Sequence, residues 1–73
     1  MKLSQKIVRL TINGKEMELV EGTTIASFLE SHSLKPRAVV VELNRSIIDR
    51  DKYGETALNE GDEVEIMRFI GGG

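Results

Sequence analysis

Residues 7–12 alternate along the chain, with Val8, Leu10 and Ile12 pointing one way and Arg9 and Thr11 the other. A period of two predicts a half-buried strand. Asn13-Gly14 follows, and this pair is a strong hairpin signal because both central residues of a type I′ turn need positive φ. The second strand, Lys15 to Val20, sets Met17 and Leu19 against Glu16 and Glu18. So short a turn makes the two strands antiparallel.

The period then changes. Glu21-Gly22 breaks the strand, and Thr23 or Thr24 can cap a helix. No Glu or Gln stands three residues on, so a full capping box is not expected. Ile25, Phe28, Leu29 and His32 fall at i, i+3, i+4 and i+7, one face of a helix that must end before Pro36. Two to three turns cannot stand alone, so the helix needs a sheet to lie on. Ala38 to Leu43 is rich in Val and predicts a buried strand, with Val39, Val41 and Leu43 on one face. Asn44-Arg45 turns the chain into a short strand, Ser46-Ile47-Ile48. The charged segment from Asp49 to Gly54 suits a single 3₁₀ turn anchored by Tyr53. Asn59-Glu60-Gly61-Asp62 is another turn, and the last strand, Glu63 to Phe69, places Val64 and Ile66 on the core face. The order β-β-α-β-β-β is α+β. It predicts a mixed sheet of about five strands with one short helix across one face, the β-grasp arrangement.

Composition narrows the chemistry. At 73 residues the chain holds one domain, expected over residues 1–70 with a tail at 71–73. There are no cysteines, which removes disulfides, thiolate nucleophiles, iron–sulfur ligation and cysteine-based zinc sites together. The net charge is -2 and the aromatics are one Tyr and two Phe, neither of which suits a nucleic-acid binder. No apolar run approaches the roughly 20 residues of a membrane span. The start of the chain has charge without an apolar stretch behind it, so no signal peptide is expected there. The location expected is cytoplasmic, and the free chain is expected to be a monomer.

The glycines carry the functional signal. Gly14, Gly22, Gly54 and Gly61 sit where the pattern demands turns. Gly71, Gly72 and Gly73 follow a strand with no further element in the sequence to connect. A run of glycines is costly to order, so these three are expected to form a mobile tail, reaching on the order of 10 Å beyond the strand. A slim tail can be threaded through a partner's channel, since no Cβ obstructs it. The carboxylate on Gly73 is a poor electrophile, because its charge repels nucleophiles and neither oxygen leaves well. ATP can turn it into an acyl adenylate, from which AMP leaves readily. On that reading the chain supplies the electrophilic carbon while the partner supplies the catalytic groups. The competing reading is a frayed terminus with no chemistry. Just before the glycines, Met67 and Phe69 alternate away from Val64 and Ile66. With Ile70 they make a candidate apolar docking patch beside the tail.

Two segments resemble a known family. Val39-Val40-Val41-Glu42-Leu43-Asn44-Arg45-Ser46-Ile47-Ile48, with Arg50 and Tyr53 after it, is similar to the central segment of the bacterial ThiS-type sulfur carriers of thiamine biosynthesis, which are ubiquitin-like β-grasp proteins. Leu58, then Glu60-Gly61-Asp62-Glu63-Val64-Glu65-Ile66 and Phe69-Ile70-Gly71-Gly72-Gly73, is similar to that family's ending, and Asn13-Gly14 to its first hairpin. Many relatives have Pro where Asp49 stands here, a difference that touches a turn and no chemistry.

The resemblance implies a cycle. A ThiF-like adenylating enzyme uses ATP and magnesium to adenylate Gly73. Sulfur from a cysteine persulfide, ultimately from a cysteine desulfurase, then gives a thiocarboxylate. A ThiG-like thiazole synthase takes that sulfur while building the thiazole of thiamine. Gly71 and Gly72 become the threading tail, and Phe69 and Ile70 enter or flank the partner's channel. Met67, Glu63 and Glu65 become candidates for the interface.

The remaining residues point elsewhere. His32 lies on the apolar helix face with no Cys or carboxylate cluster in its pattern, so a packed or half-exposed helix-end histidine is expected. Asp49-Arg50-Asp51-Lys52 alternates in sign and suits a solvated turn. The serines have no histidine partner in any nucleophile motif. No phosphate-binding glycine loop is present, so ATP belongs to the partner. No metal or cofactor is expected on the chain, and it is read as a carrier and not an enzyme. Other destinations share these features: a carrier for molybdopterin or tRNA thiolation, a protein modifier that joins Gly73 to lysine, or a β-grasp binding module with an inert tail.

Overall fold

The computed structural model describes residues 5–69. It contains β1 (Ile7–Ile12), β2 (Lys15–Val20), α1 (Ile25–Ser31), β3 (Val39–Leu43), β4 (Ser46–Ile47) and β5 (Glu63–Arg68). Single 3₁₀ turns occupy Pro36–Ala38 and Arg50–Lys52. The sheet order is β2-β1-β5-β3-β4, with β1 and β5 parallel and the other neighbours antiparallel. The strand read last in sequence therefore lies at the centre. This is the mixed sheet with one crossing helix that the element order predicts.

Alternation decides which face is buried. Val8, Leu10 and Ile12 of β1, Val39 and Val41 of β3 and Val64 of β5 join Ile25, Phe28 and Leu29 of α1 in one core, closed by Tyr53 and Leu58. Met17, Leu19, Leu43 and Ile66 pack against it from the same side. Tyr53 anchors the charged turn as its pattern suggests, with only 4% of its surface exposed.

The helix is seven residues long, and every orphan N–H at its start finds a partner. Thr56 and Tyr53 carbonyls accept from Ile25 and Ala26 at 3.0 Å each. Thr24 Oγ1 accepts from Ser27 N–H at 3.1 Å, and the Thr24 carbonyl from Phe28 N–H at 2.9 Å. The expectation of an incomplete capping box is corrected here: Ser27 Oγ accepts from Thr24 N–H at 3.0 Å, doing with a hydroxyl what Glu or Gln does in the usual box. At the other end Ser33 adopts φ 58°, Ser33 N–H donates to Glu30 and Leu34 N–H to Leu29. That double bond pattern is a Schellman motif, with serine in the left-handed position where glycine is usual.

Three strand boundaries move by one residue from the sequence reading. Ala38 belongs to the 3₁₀ turn that Pro36 starts, Ile48 falls outside β4, and Phe69 falls outside β5. The last two keep part of their strand pairing, since Ile48 N–H donates to Val41 at 3.0 Å and Phe69 N–H to Ala38 at 3.0 Å. The described residues form one sheet over one core. The expected boundary between domain and tail lies outside them.

Candidate functional site

The strand that leads toward the glycines is held from both sides by asparagine side chains. β1 pairs with β5 only as far as Ile12 and Val64, which leaves Ile66 without a partner from β1. Asn13, in the first hairpin turn at φ 52°, fills the gap. Its Oδ1 accepts from Ile66 N–H at 2.7 Å and its Nδ2 donates to the Ile66 carbonyl at 3.3 Å. Asn44, also at φ 52° in the turn between β3 and β4, holds the start of β5. Its Oδ1 accepts from Glu63 N–H at 2.9 Å, and its Nδ2 donates to Asp62 Oδ1 at 3.0 Å. Sequence reasoning saw only turn formers here, because the clamp links residues 53 apart for Asn13. Nothing local marks it.

With β5 fixed, alternation sorts its side chains. Val64 and Ile66 face the helix, and Glu63, Glu65 and Met67 face the other way. Phe69 continues that outward alternation one step past the strand. Met67 is 44% exposed and Phe69 60%, so these two of the expected patch residues stand exposed on the open face. The register adds neighbours: Val40 lies opposite Met67, Glu42 opposite Glu65, and Ile47 opposite Glu42. Ile47 is 67% exposed and enlarges the patch in a way the linear pattern did not signal.

The same register makes this face acidic. Thr11 pairs with Glu16 on one side and Glu63 on the other, and Arg9 pairs with Glu18. Glu16, Glu18, Glu42, Glu63 and Glu65 therefore share the face, with Arg9 bound to Glu18 at 3.1 Å. Glu42 directly opposite Glu65 is a like-charge pair, an arrangement that costs stability in an isolated sheet. The open face thus has an acidic field beside an apolar end at Val40, Met67, Phe69 and Ile47. Such a surface complements a partner with basic and apolar groups.

Ile70, Gly71, Gly72 and Gly73 lie outside the described residues. Among the described residues no three of His, Asp and Glu come together as a metal site. His32 is at the helix end as expected. It is exposed, stacks on Phe28 with ring centroids 4.1 Å apart, and its Nδ1 lies 3.1 Å from the Phe28 carbonyl oxygen. No helix of the described residues is long and apolar enough to cross a membrane.

Comparison with known proteins agrees with this geometry. The ThiS family model matches residues 10–73. The chain belongs to the ThiS family. Among its relatives is the sulfur carrier protein ThiS of Bacillus subtilis, 40% identical over 65 residues, which cover 88% of this chain and 98% of that protein. The crystal structure of the thiamine biosynthesis protein ThiS from Geobacter metallireducens superposes with a TM-score of 0.72 at 33% identity, covering 90% of this chain and all of that one. The ubiquitin-like β-grasp fold of the ThiS family is therefore the fold of this chain. A thiazole synthase of Paramagnetospirillum magneticum is 38% identical over 66 residues, 90% of this chain. The ThiS-family chain spans only 20% of the length of that enzyme, and likewise of the thiazole synthase of Magnetococcus marinus.

Proposed function

We propose that this chain is a sulfur carrier for thiazole assembly in thiamine biosynthesis, with the carboxylate of Gly73 as the group that changes. The observation that carries the reading is the match to the Bacillus subtilis carrier over 98% of that protein, together with a family match that runs through residue 73. A ThiF-like enzyme holding ATP and magnesium forms the acyl adenylate at Gly73 and releases pyrophosphate. A persulfide, charged by a cysteine desulfurase, displaces AMP, and reduction of the resulting acyl disulfide by a thiol leaves the thiocarboxylate. Sulfur then passes to a thiazole synthase. That partner is favoured because two thiazole synthases each contain a segment similar to this chain. The chain itself contributes the electrophilic carbon and the recognition surface, and the reaction takes place in the cytoplasm.

The open face suits the docking step. Met67 and Phe69 lie on it before Ile70 and the threading glycines Gly71 and Gly72, and Glu63 and Glu65 supply the acidic rim. Long-range attraction to a basic partner raises the encounter rate and weakens with salt.

ATP–pyrophosphate exchange with a ThiF-like enzyme tests this reading. Exchange should depend on the chain, and one alanine appended after Gly73 should abolish it by moving the carboxylate. Phe69→Ala should raise KM more than it lowers kcat, as removal of a docking contact does. Undiminished exchange with the extended chain would refute Gly73 as the reacting residue.

A further inference from the structure

We propose that a groove on the helix side of the sheet, at the C-terminal end of α1, docks a partner-protein segment presenting an apolar side chain flanked by carboxylates. The groove has a volume of about 460 Å³. Its floor is Ile12, Met17 and Ile66, and its wall is Phe28 and Leu34 with the His32 ring stacked on Phe28. This is where the core runs out, because α1 ends at Ser31 while β5 continues to Arg68.

The rim selects the occupant. Lys15 shares the alternation of Met17 and Leu19, and Arg68 that of Val64 and Ile66, so both project to the helix side and line the groove. Among the described residues no carboxylate lines it. Neither cation is ion-paired among the described residues, where Arg9–Glu18 is the salt bridge. On a chain of net charge -2 whose opposite sheet face gathers the glutamates, an apolar floor between unpaired cations is a local reversal of sign. A wholly apolar segment would leave the cations unused, and a bare anion would leave the floor wet. An apolar residue with acidic neighbours uses both. The groove and the glutamate-rich face lie on opposite sides of the sheet, so both can be occupied at once.

The test is an NMR titration of the full chain with the peptide acetyl-Glu-Leu-Phe-Asp-amide and its uncharged analogue, acetyl-Gln-Leu-Phe-Asn-amide. The expected result is saturable shifts of the Met17, Leu34 and Ile66 methyls with the acidic peptide. Its dissociation constant should be about tenfold lower than the analogue's, the sum of two exposed charge pairs. The double variant Lys15→Glu, Arg68→Glu should invert that difference, so that the acidic peptide binds more weakly than its uncharged analogue. Both residues are exposed, so the charge reversal spares the core. Equal affinity for the two peptides, shifts centred on Met67 and Phe69, or no saturable shift would each overturn the proposal. So would movement of the Met17 methyl on deleting residues 71–73 without peptide, which would make the chain's own end the occupant.

Discussion

At the scale of single residues, Asn13 has two separable roles. It accepts positive φ in the turn, and its amide replaces the missing β1 partner of Ile66. Asn13→Gly keeps the first role and deletes the second. It should lower stability by about 1–2 kcal/mol, the net worth of two hydrogen bonds in a partly exposed setting, read from urea unfolding. Asn13→Ala should cost more, since the left-handed conformation adds about 1 kcal/mol. Equal stability of Asn13→Gly and the parent would mean that the clamp contributes nothing. The turn role was legible in the sequence because Asn-Gly is a local signal. The clamp was not, because it forms only when the sheet order brings residue 66 beside residue 13.

At the scale of elements, the strands were legible because a period of two repeated over six residues fixes the buried face as well as the strand, and β1 and β2 fall where the pattern put them. The helix face was legible for the same reason through Ile25, Phe28 and Leu29. Its caps were less so: the second half of the box is a serine, and the left-handed C-terminal residue is also a serine. Each makes a prediction. Ser27→Ala removes the reciprocal bond to Thr24 N–H while leaving the Thr24 cap, and should destabilise by about 0.5–1 kcal/mol. Ser33→Gly keeps the Schellman bonds and relieves the φ of 58°, so it should stabilise by about 0.5–1 kcal/mol. Thermal unfolding reads both. A loss of stability in Ser33→Gly would show that its side chain does more for the helix end than its backbone strain costs.

At the scale of the whole molecule, the sheet divides the surface into two faces of different charge. The helix side has a groove between Lys15 and Arg68, and the open side has glutamates beside Met67 and Phe69. The sequence showed Met67 and Phe69 turned outward, since alternation alone decides that. It did not show Glu42 opposite Glu65 or the addition of Ile47, because these follow from pairing between distant strands. If the like charges serve docking, Glu65→Gln should stabilise the chain by about 0.2–1 kcal/mol while slowing its association with the adenylating enzyme at low salt. Stopped-flow association at two ionic strengths checks this. An unchanged rate would detach the acidic field from that partner. The tail chemistry is an expectation drawn from three glycines after a strand, and family membership supplies the direction in which to test it.

The most direct test of the carrier account is the mass of the intact chain after incubation with ATP, a ThiF-like enzyme, a cysteine desulfurase, cysteine and a thiol reductant. The account predicts a gain equal to one sulfur replacing one oxygen, located at Gly73 by fragmentation and absent when ATP is omitted. An unchanged mass, with the same enzymes charging the Bacillus subtilis carrier in parallel, would contradict it.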